Sequence, residues 1–148
     1  MSAAATPDVA ALQEVLAGEH GVIYGYGVAG ARLTGRRRRR AQRLWDGHRV
    51  RRDELSGLIA DLGASPEPAA ATYALPEPVE SAEDARALAT VLEERLAAVW
   101  ADAVLELDGD LRDLAVTGLV DAAVAAARWR DDSVPFPGLA ERGRPQDR

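Results

Sequence analysis

Four long segments of this chain place apolar residues at spacings of three and four, which is the period of an amphipathic α-helix. The stripes begin at Leu12, Leu44, Leu88 and Leu111, and each continues through most of its segment. Alanine, the strongest helix former, dominates an apolar fraction of 47%. The pattern therefore predicts an all-α fold.

Capping residues set the helix boundaries. Thr6 and Pro7 supply an N-cap and a first helical residue, and Ser81 with Asp84 resembles a capping box. Gly63 stops the second stripe. The predicted helices span residues 7–33, 37–62, 82–107 and 110–130.

The connections choose among bundle topologies. The first and third are short, so each joins an antiparallel pair. The middle one, Gly63 to Glu80, is rich in Pro and Ala and can reach roughly 50 Å, more than a bundle length of about 40 Å. We therefore predict a ferritin-like four-helix bundle with one long crossover between helices 2 and 3. Tyr73, Leu75 and Val79 are the expected anchors of the crossover.

The length of 148 residues suits one domain. We assign residues 1–139 to the bundle and predict that 140–148 form a disordered tail, since Pro, Gly and charge dominate from Asp131 onward. Phe136 and Leu139 are the apolar residues of this region that could dock on the bundle.

Composition excludes several classes of function. The sequence has no cysteine and no lysine, so disulfides, thiolate metal sites, Schiff-base chemistry and a P-loop are excluded. A net charge of −6 argues against nucleic-acid binding by the whole domain. Met1 to Val9 lacks the features of a signal peptide, and the longest uncharged run, Gly21 to Ala31, is too short to cross a bilayer. We expect a cytoplasmic protein without a membrane partner.

Each apolar stripe carries one ionisable residue near mid-length: Glu19, His48, Glu93 and Asp121. Stacked in a bundle, these positions fall close to one layer of the core. A dinuclear carboxylate metal site would occupy that layer, with a Glu from each of two helices and Glu-x-x-His from each of the other two.

Two of those six ligands are absent. Trp45 stands three residues before His48, where a Glu would be needed, and Val124 stands three after Asp121, where a His would be needed. Arg52, one turn beyond His48, could hold carboxylates by bidentate hydrogen bonds. We therefore predict a buried polar cluster without a metal, in which Arg52 and, near one end, Arg128 supply the positive charge. Its members are Glu19, His48, Arg52, Glu93 and Asp121.

Two readings of the same residues stay open. Glu19, His48, Glu93 and Asp121 could hold a single metal ion or the remnant of a metal pair. Some of them, Glu93 above all, could instead lie at a helix edge and face water.

A glycine-rich string and an arginine run are the remaining signals. Gly25 to Gly30 matches a dinucleotide-binding fingerprint, but no second strand follows it, so the glycines are better explained by close helix crossing. The basic run consists of Arg36, Arg37, Arg38, Arg39 and Arg40. It opposes the dipole at a helix start, which leaves room for an anionic partner, although a solvated charged face is the simpler interpretation.

Several strings together resemble a known family: Glu19-His20, Tyr26-Gly27-Val28, His48-Arg49-Val50-Arg51-Arg52-Asp53, Tyr73-Ala74-Leu75-Pro76, Leu92-Glu93 and Ala126-Ala127-Arg128-Trp129-Arg130. They are similar to the actinobacterial ferritin-like family catalogued as domain of unknown function 4439. The resemblance runs from about Ala10 to Leu139. It implies a ferritin-like fold and brings no established activity.

The sequence thus favours an interaction or structural module over an enzyme, with no cofactor. The alternative is a degenerate metal-binding protein or oxidoreductase that uses Glu19, His48, Glu93 and Asp121. Trp45, Trp100 and Trp129 are large for so alanine-rich a chain, and their stripes leave at least one partly outward-facing. We expect such exposed aromatic surface to mark a homodimer contact.

Overall fold

The computed structural model describes residues 6–130, and this part of the chain contains four α-helices and no strand. The helices are α1 (Pro7–Gly30), α2 (Gly35–Asp61), α3 (Ala82–Glu106) and α4 (Gly109–Arg130). This confirms the predicted all-α four-helix bundle. The largest boundary error is at the end of α1, where the chain leaves the helix early and buries Leu33 in the turn. The predictions for 131–148, including Phe136 and Leu139, lie outside the described residues.

Capping explains where α1 and α3 begin. The Thr6 side chain accepts a hydrogen bond from the Val9 amide, and Pro7 follows at a position that needs no amide hydrogen. Ser81 and Asp84 form a reciprocal capping box. The Ser81 hydroxyl and the amides of Glu80 and Ser81 hold the pKa of Asp84 below its ordinary value.

The helices pack in the order α2, α1, α3, α4, and no comparable packing closes the ring between α2 and α4. Since α1 pairs with α2 and α3 pairs with α4 through short turns, each pair is antiparallel. The opening between α2 and α4 is the feature of the fold that positions the candidate site.

The crossover, residues 62–81, runs lengthwise along α1. The Gln13 side chain donates to the Ser65 carbonyl at 2.8 Å and accepts from the Glu67 amide at 3.0 Å. Further along, the Tyr73 ring lies 5.4 Å from the Tyr24 ring. Leu75 and Val79 pack against the core, and Tyr73 packs against α1. All three residues therefore anchor the crossover, as the sequence predicts. The crossover therefore brings the start of α3 to the end of the bundle where α2 starts.

Two glycines mark close helix approach. A Cβ on Gly118 of α4 would lie 2.3 Å from the Trp100 ring of α3, and a Cβ on Gly25 of α1 would lie 2.3 Å from Leu92. Gly27 and Gly30 face open space, so only part of the predicted glycine packing is found. The whole string lies inside α1, which is incompatible with a dinucleotide-binding turn.

Of the three tryptophans, Trp45 is the one that is partly outward-facing, as the prediction of at least one required. Trp100 and Trp129 are buried: Gly118 leaves room for the Trp100 indole, and the Trp129 indole donates a hydrogen bond to the buried Tyr26 hydroxyl. Trp45 is half-buried, and the Arg49 guanidinium lies 4.5 Å from the centre of its ring. None of the helices in residues 6–130 is long and apolar enough to cross a membrane.

Candidate functional site

A histidine between two buried glutamates lies at mid-length in the bundle. Glu19 of α1 is 1% exposed and Glu93 of α3 is 0% exposed. Nδ1 of His48, on α2, lies 2.7 Å from Glu19 Oε2, and its Nε2 lies 3.0 Å from Glu93 Oε1. Because a carboxylate can only accept, both ring nitrogens donate and the ring is an imidazolium. We refer to these three residues as the acid–histidine cluster.

The cluster fixes the charge of its histidine. Burial of the ring would by itself lower its pKa, but the hydrogen bonds and the negative charges of Glu19 and Glu93 outweigh burial. They raise the pKa of His48 from 6.5 to about 10. The imidazolium therefore persists at neutral pH, and its single positive charge offsets one of the two negative charges of Glu19 and Glu93.

Tyr26 and Trp129 extend the hydrogen-bonded chain. The Tyr26 hydroxyl donates to Glu93 Oε1 at 2.7 Å and accepts from Trp129 Nε1 at 2.8 Å. Burial and the Glu93 charge raise the pKa of Tyr26 well above its ordinary value, so the phenol stays protonated. Tyr26 is missing from the predicted cluster, although its position seven residues after Glu19 places it on the same face of α1.

Two residues predicted to belong to the buried cluster lie outside it. Arg52 donates from Nε to Asp53 at 2.8 Å, at the surface of α2. Asp121 is exposed, and it accepts from Arg51 Nη2 at 3.2 Å. The prediction for Arg52 is wrong because His48 itself supplies the positive charge. The prediction for Asp121 is wrong because α4 does not close against α2, so the middle of α4 borders an opening.

The residues present do not fit a dinuclear metal centre. Both ring nitrogens of His48 are engaged by carboxylates, and a metal would have to displace one of these hydrogen bonds. Trp45 and Val124 stand where a Glu and a His would be needed. Across residues 6–130, no group of three or more His, Asp or Glu side chains is placed to hold a metal ion.

A cleft of about 570 Å³ opens between α2 and α4 above the cluster. Glu19, His48 and Glu93 lie among its lining residues, together with apolar residues of which Leu44 and Val124 are the more exposed. Four arginines also line it: Arg40, Arg43, Arg51 and Arg128. Asp121 is the acidic lining residue that does not belong to the acid–histidine cluster.

Two buried atoms of the cleft lining have no hydrogen-bond partner: Arg51 Nη1 and Glu93 Oε2. The Arg51 guanidinium lies 5.6 Å from the centre of the Trp100 ring, within the range of a cation–π contact. A buried polar atom without a partner costs about 1–3 kcal/mol. A water molecule or a polar ligand in the cleft would satisfy these two atoms, with an acceptor for Nη1 and a donor for Oε2.

The arginine run is partly used by the fold. Arg40 Nη1 donates to the Arg128 carbonyl at 2.9 Å, and its guanidinium lies 5.1 Å from the centre of the Trp129 ring. Arg37 Nη1 lies 3.9 Å from Glu83 Oε2. The Arg36, Arg38 and Arg39 side chains are exposed. One end of the run thus caps α4 and borders the cleft, which gives Arg40 a structural role.

Comparison with known proteins gives a family and a structural relative. Residues 11–141 match the family described as Domain of unknown function (DUF4439). The fold is similar to that of a conserved hypothetical protein, rv2844, from Mycobacterium tuberculosis, with a TM-score of 0.82 and 36% sequence identity. The similarity covers 87% of this chain and 98% of that chain. No curated protein matches the sequence significantly.

Proposed function

The chain belongs to the DUF4439 family, which brings no activity with it, so from the chemistry of the cleft we propose that the protein binds a small organic anion between α2 and α4. The observation that carries this proposal is the buried Arg51 Nη1, which lines the cleft and lacks an acceptor. The protein would act as a binding module rather than as an enzyme.

The charges of the cleft support an anion. Four arginines line it, against Asp121 as the one acidic residue outside the acid–histidine cluster. Arg51 pairs with Asp121 through Nη2 and, at 3.6 Å, with Glu54 through Nε, which leaves Nη1 as its donor without an acceptor. Among residues 6–130, neither Arg43 nor Arg128 has an ion pair with a carboxylate. Guanidinium groups bind carboxylate and phosphate in a bidentate manner, so this arrangement suits either group.

The size and the apolar walls of the cleft support an organic ligand. Its volume lies within the range of about 300–1,000 Å³ that is typical of small-molecule sites. Among its apolar lining residues, Leu44 is half-buried and Val124 is 42% exposed, so these two offer apolar contact. A bare inorganic ion would leave this surface uncovered, whereas an anion with an aromatic or aliphatic body would bury it.

The test is calorimetric titration with a panel of aromatic carboxylates and organic phosphates. The Arg128→Met variant should weaken binding by about tenfold, because it removes one charged donor from the lining. Arg49→Met is the matched control, since Arg49 lies on α2 but contacts the Trp45 ring instead of the cleft. Equal effects of the two substitutions, or no binding by any member of the panel, would overturn the proposal.

The ferritin-like character that the sequence implies is also a proposal. The short, long, short order of connections and the position of Glu19, His48 and Glu93 support it. In this view, the protonated His48 takes the place that a metal pair would occupy in a ferritin-like bundle. The competing interpretation is that the same residues belong to a degenerate metalloprotein or oxidoreductase. Elemental analysis of protein purified after iron and manganese supplementation separates the two, because stoichiometric metal would contradict the histidine substitution.

Self-association is a second candidate, carried by a different observation. Val116, Val120 and Val124 form one stripe on α4 and are 43%, 53% and 42% exposed. Exposed apolar surface of this kind marks contact sites, and a two-fold dimer is the commonest closed assembly. Light scattering should give twice the 15.8 kDa chain mass, and Val120→Glu should return it to one chain mass. A wild-type monomer at high micromolar concentration would contradict the homodimer.

The cytoplasmic location favoured by the sequence is likewise proposed.

A further inference from the structure

The floor and the mouth of the cleft carry opposite charge. The floor is the acid–histidine cluster, in which the carboxylates of Glu19 and Glu93 face a single imidazolium. The remaining charged lining consists of four arginines against Asp121. The inner end is therefore negative and the outer end positive. A ligand that is an anion throughout would suit the outer end and be repelled by the inner one.

Glu93 presents a free acceptor at the inner end. Its Oε1 receives hydrogen bonds from both Tyr26 and His48, whereas its Oε2 receives none. The Glu93 side chain is 0% exposed and lines the cleft. Burial deprives Oε2 of bulk solvent, so a donor that enters the cleft meets an acceptor whose charge is poorly screened.

We propose that the ligand is bifunctional, with an ammonium or N–H donor that reaches Glu93 Oε2 and a carboxylate or phosphate at its other end. This rests on the proposed function, since the anionic end is the one that the arginines hold. Arg51 Nη1 and Glu93 Oε2, the two buried atoms without partners, then receive an acceptor and a donor from the same molecule. The accessible apolar lining, Leu44 and Val124, would contact a hydrocarbon spacer between the two ends of the ligand.

A ring with two substituents provides a matched pair of probes. Para-aminomethylbenzoate and para-ethylbenzoate have the same ring, carboxylate and size. The first ends in an ammonium group where the second ends in a methyl group. We expect wild-type protein to bind the amine about tenfold more tightly in calorimetric titration, because an ammonium donates to a charged acceptor. In the Glu93→Gln variant the ratio of the affinities for para-aminomethylbenzoate and para-ethylbenzoate should shrink to about twofold or less.

The outcomes separate this inference from the proposed function. Equal binding of the two probes by wild-type protein would overturn the bifunctional ligand and leave the anion site intact. Binding of neither probe, and of no carboxylate or phosphate in the panel, would overturn both. The comparison of the two probes on wild-type protein needs no variant, so it stands even where Glu93→Gln fails to fold. Circular dichroism checks whether the variant folds. If it folds and keeps the preference for the amine, the ammonium of the ligand binds an acceptor other than Glu93, and this inference is overturned.

Discussion

At the scale of single residues, one imidazolium keeps two carboxylates inside an alanine-rich core. Removing one partner of a buried charge pair leaves the other without compensation and costs more than the pair contributes. His48 satisfies Glu19 and Glu93 at once, and Tyr26 adds a neutral donor to Glu93. The cluster is therefore both a structural tie between α1, α2 and α3 and the floor of the cleft.

The first prediction concerns pH. The pKa of folded His48 is raised above its unfolded value, so its contribution to stability is fully present below pH 6.5 and is lost as pH rises through about 10. Chemical denaturation should show a free energy of unfolding that falls across this window by at most about 5 kcal/mol. The facing groups are Glu19 on α1 and Glu93 on α3, with Arg51 and Asp121 at the cleft.

His20 provides the control for this experiment. It lies on α1 next to Glu19, but its ring contacts the Glu67 carbonyl of the crossover rather than a carboxylate. His20→Gln should keep the wild-type dependence on pH. A wild-type stability that is flat between pH 7 and 10 would mean that His48 is neutral in the folded protein.

The second prediction tests the tyrosine of the chain. Tyr26→Phe removes a donor to Glu93 and leaves Trp129 Nε1 buried without an acceptor, so we expect a loss of about 1–3 kcal/mol in urea denaturation. Tyr24→Phe is the matched control, because Tyr24 also lies on α1 and contacts the Tyr73 ring rather than a carboxylate. A similar cost for both substitutions would argue against a special role of the Tyr26 hydroxyl.

At the scale of elements, α3 and α4 approach so closely that only glycine fits at their contact. The third prediction is that Gly118→Ala destabilises the protein by about 1–3 kcal/mol or more, since its Cβ would overlap the rigid Trp100 ring. Gly27→Ala is the control, because nothing lies within 4 Å of its Cβ on α1. That control should stabilise the protein by up to about 1 kcal/mol through helix propensity. Thermal melts of the two variants should move in opposite directions.

The start of α3 supplies the fourth prediction. Ser81→Ala removes the side-chain acceptor of the Asp84 amide and should cost about 1 kcal/mol. Ser56→Ala is the comparison, because the Ser56 hydroxyl donates only to the Arg52 carbonyl one turn back in α2. Such a bond adds little to a helix, so this change should leave the melting temperature nearly unaltered. Equal losses would show that the capping box does not decide where α3 begins.

At the scale of the whole molecule, the ring of helices is open on one side, and α2 is its least embedded member. The buried residues of α2 are Ala41, Leu55 and Ile59, whereas α3 buries nine residues. The fifth prediction is that amides of α2 exchange hydrogen through a lower-energy opening than those of α3, as measured by native-state hydrogen exchange. A saturating ligand in the cleft should slow the exchange in α2. Uniform protection of the four helices would contradict this picture.

The sequence determined the elements and their order. Apolar periodicity and capping residues gave four helices with boundaries within three residues of those observed, and the length of residues 63–80 gave the crossover. These features are local, because they depend on the helical period, on single capping groups and on chain reach. The same periodicity placed Glu19, His48 and Glu93 on inward stripes, and the structure brings these three into contact.

The tertiary structure alone decided which neighbours of those residues face the core. Arg51 borders the cleft while Arg52 turns to Asp53, although the two are adjacent in sequence. Asp121 is exposed because α4 does not pack closely on α2, and Trp100 is buried because Gly118 makes room for it. Periodicity fixes the side of a helix that is apolar, but it leaves the rotation and the separation of neighbouring helices undetermined. Those depend on side-chain packing between segments far apart in the chain, and they create the cleft.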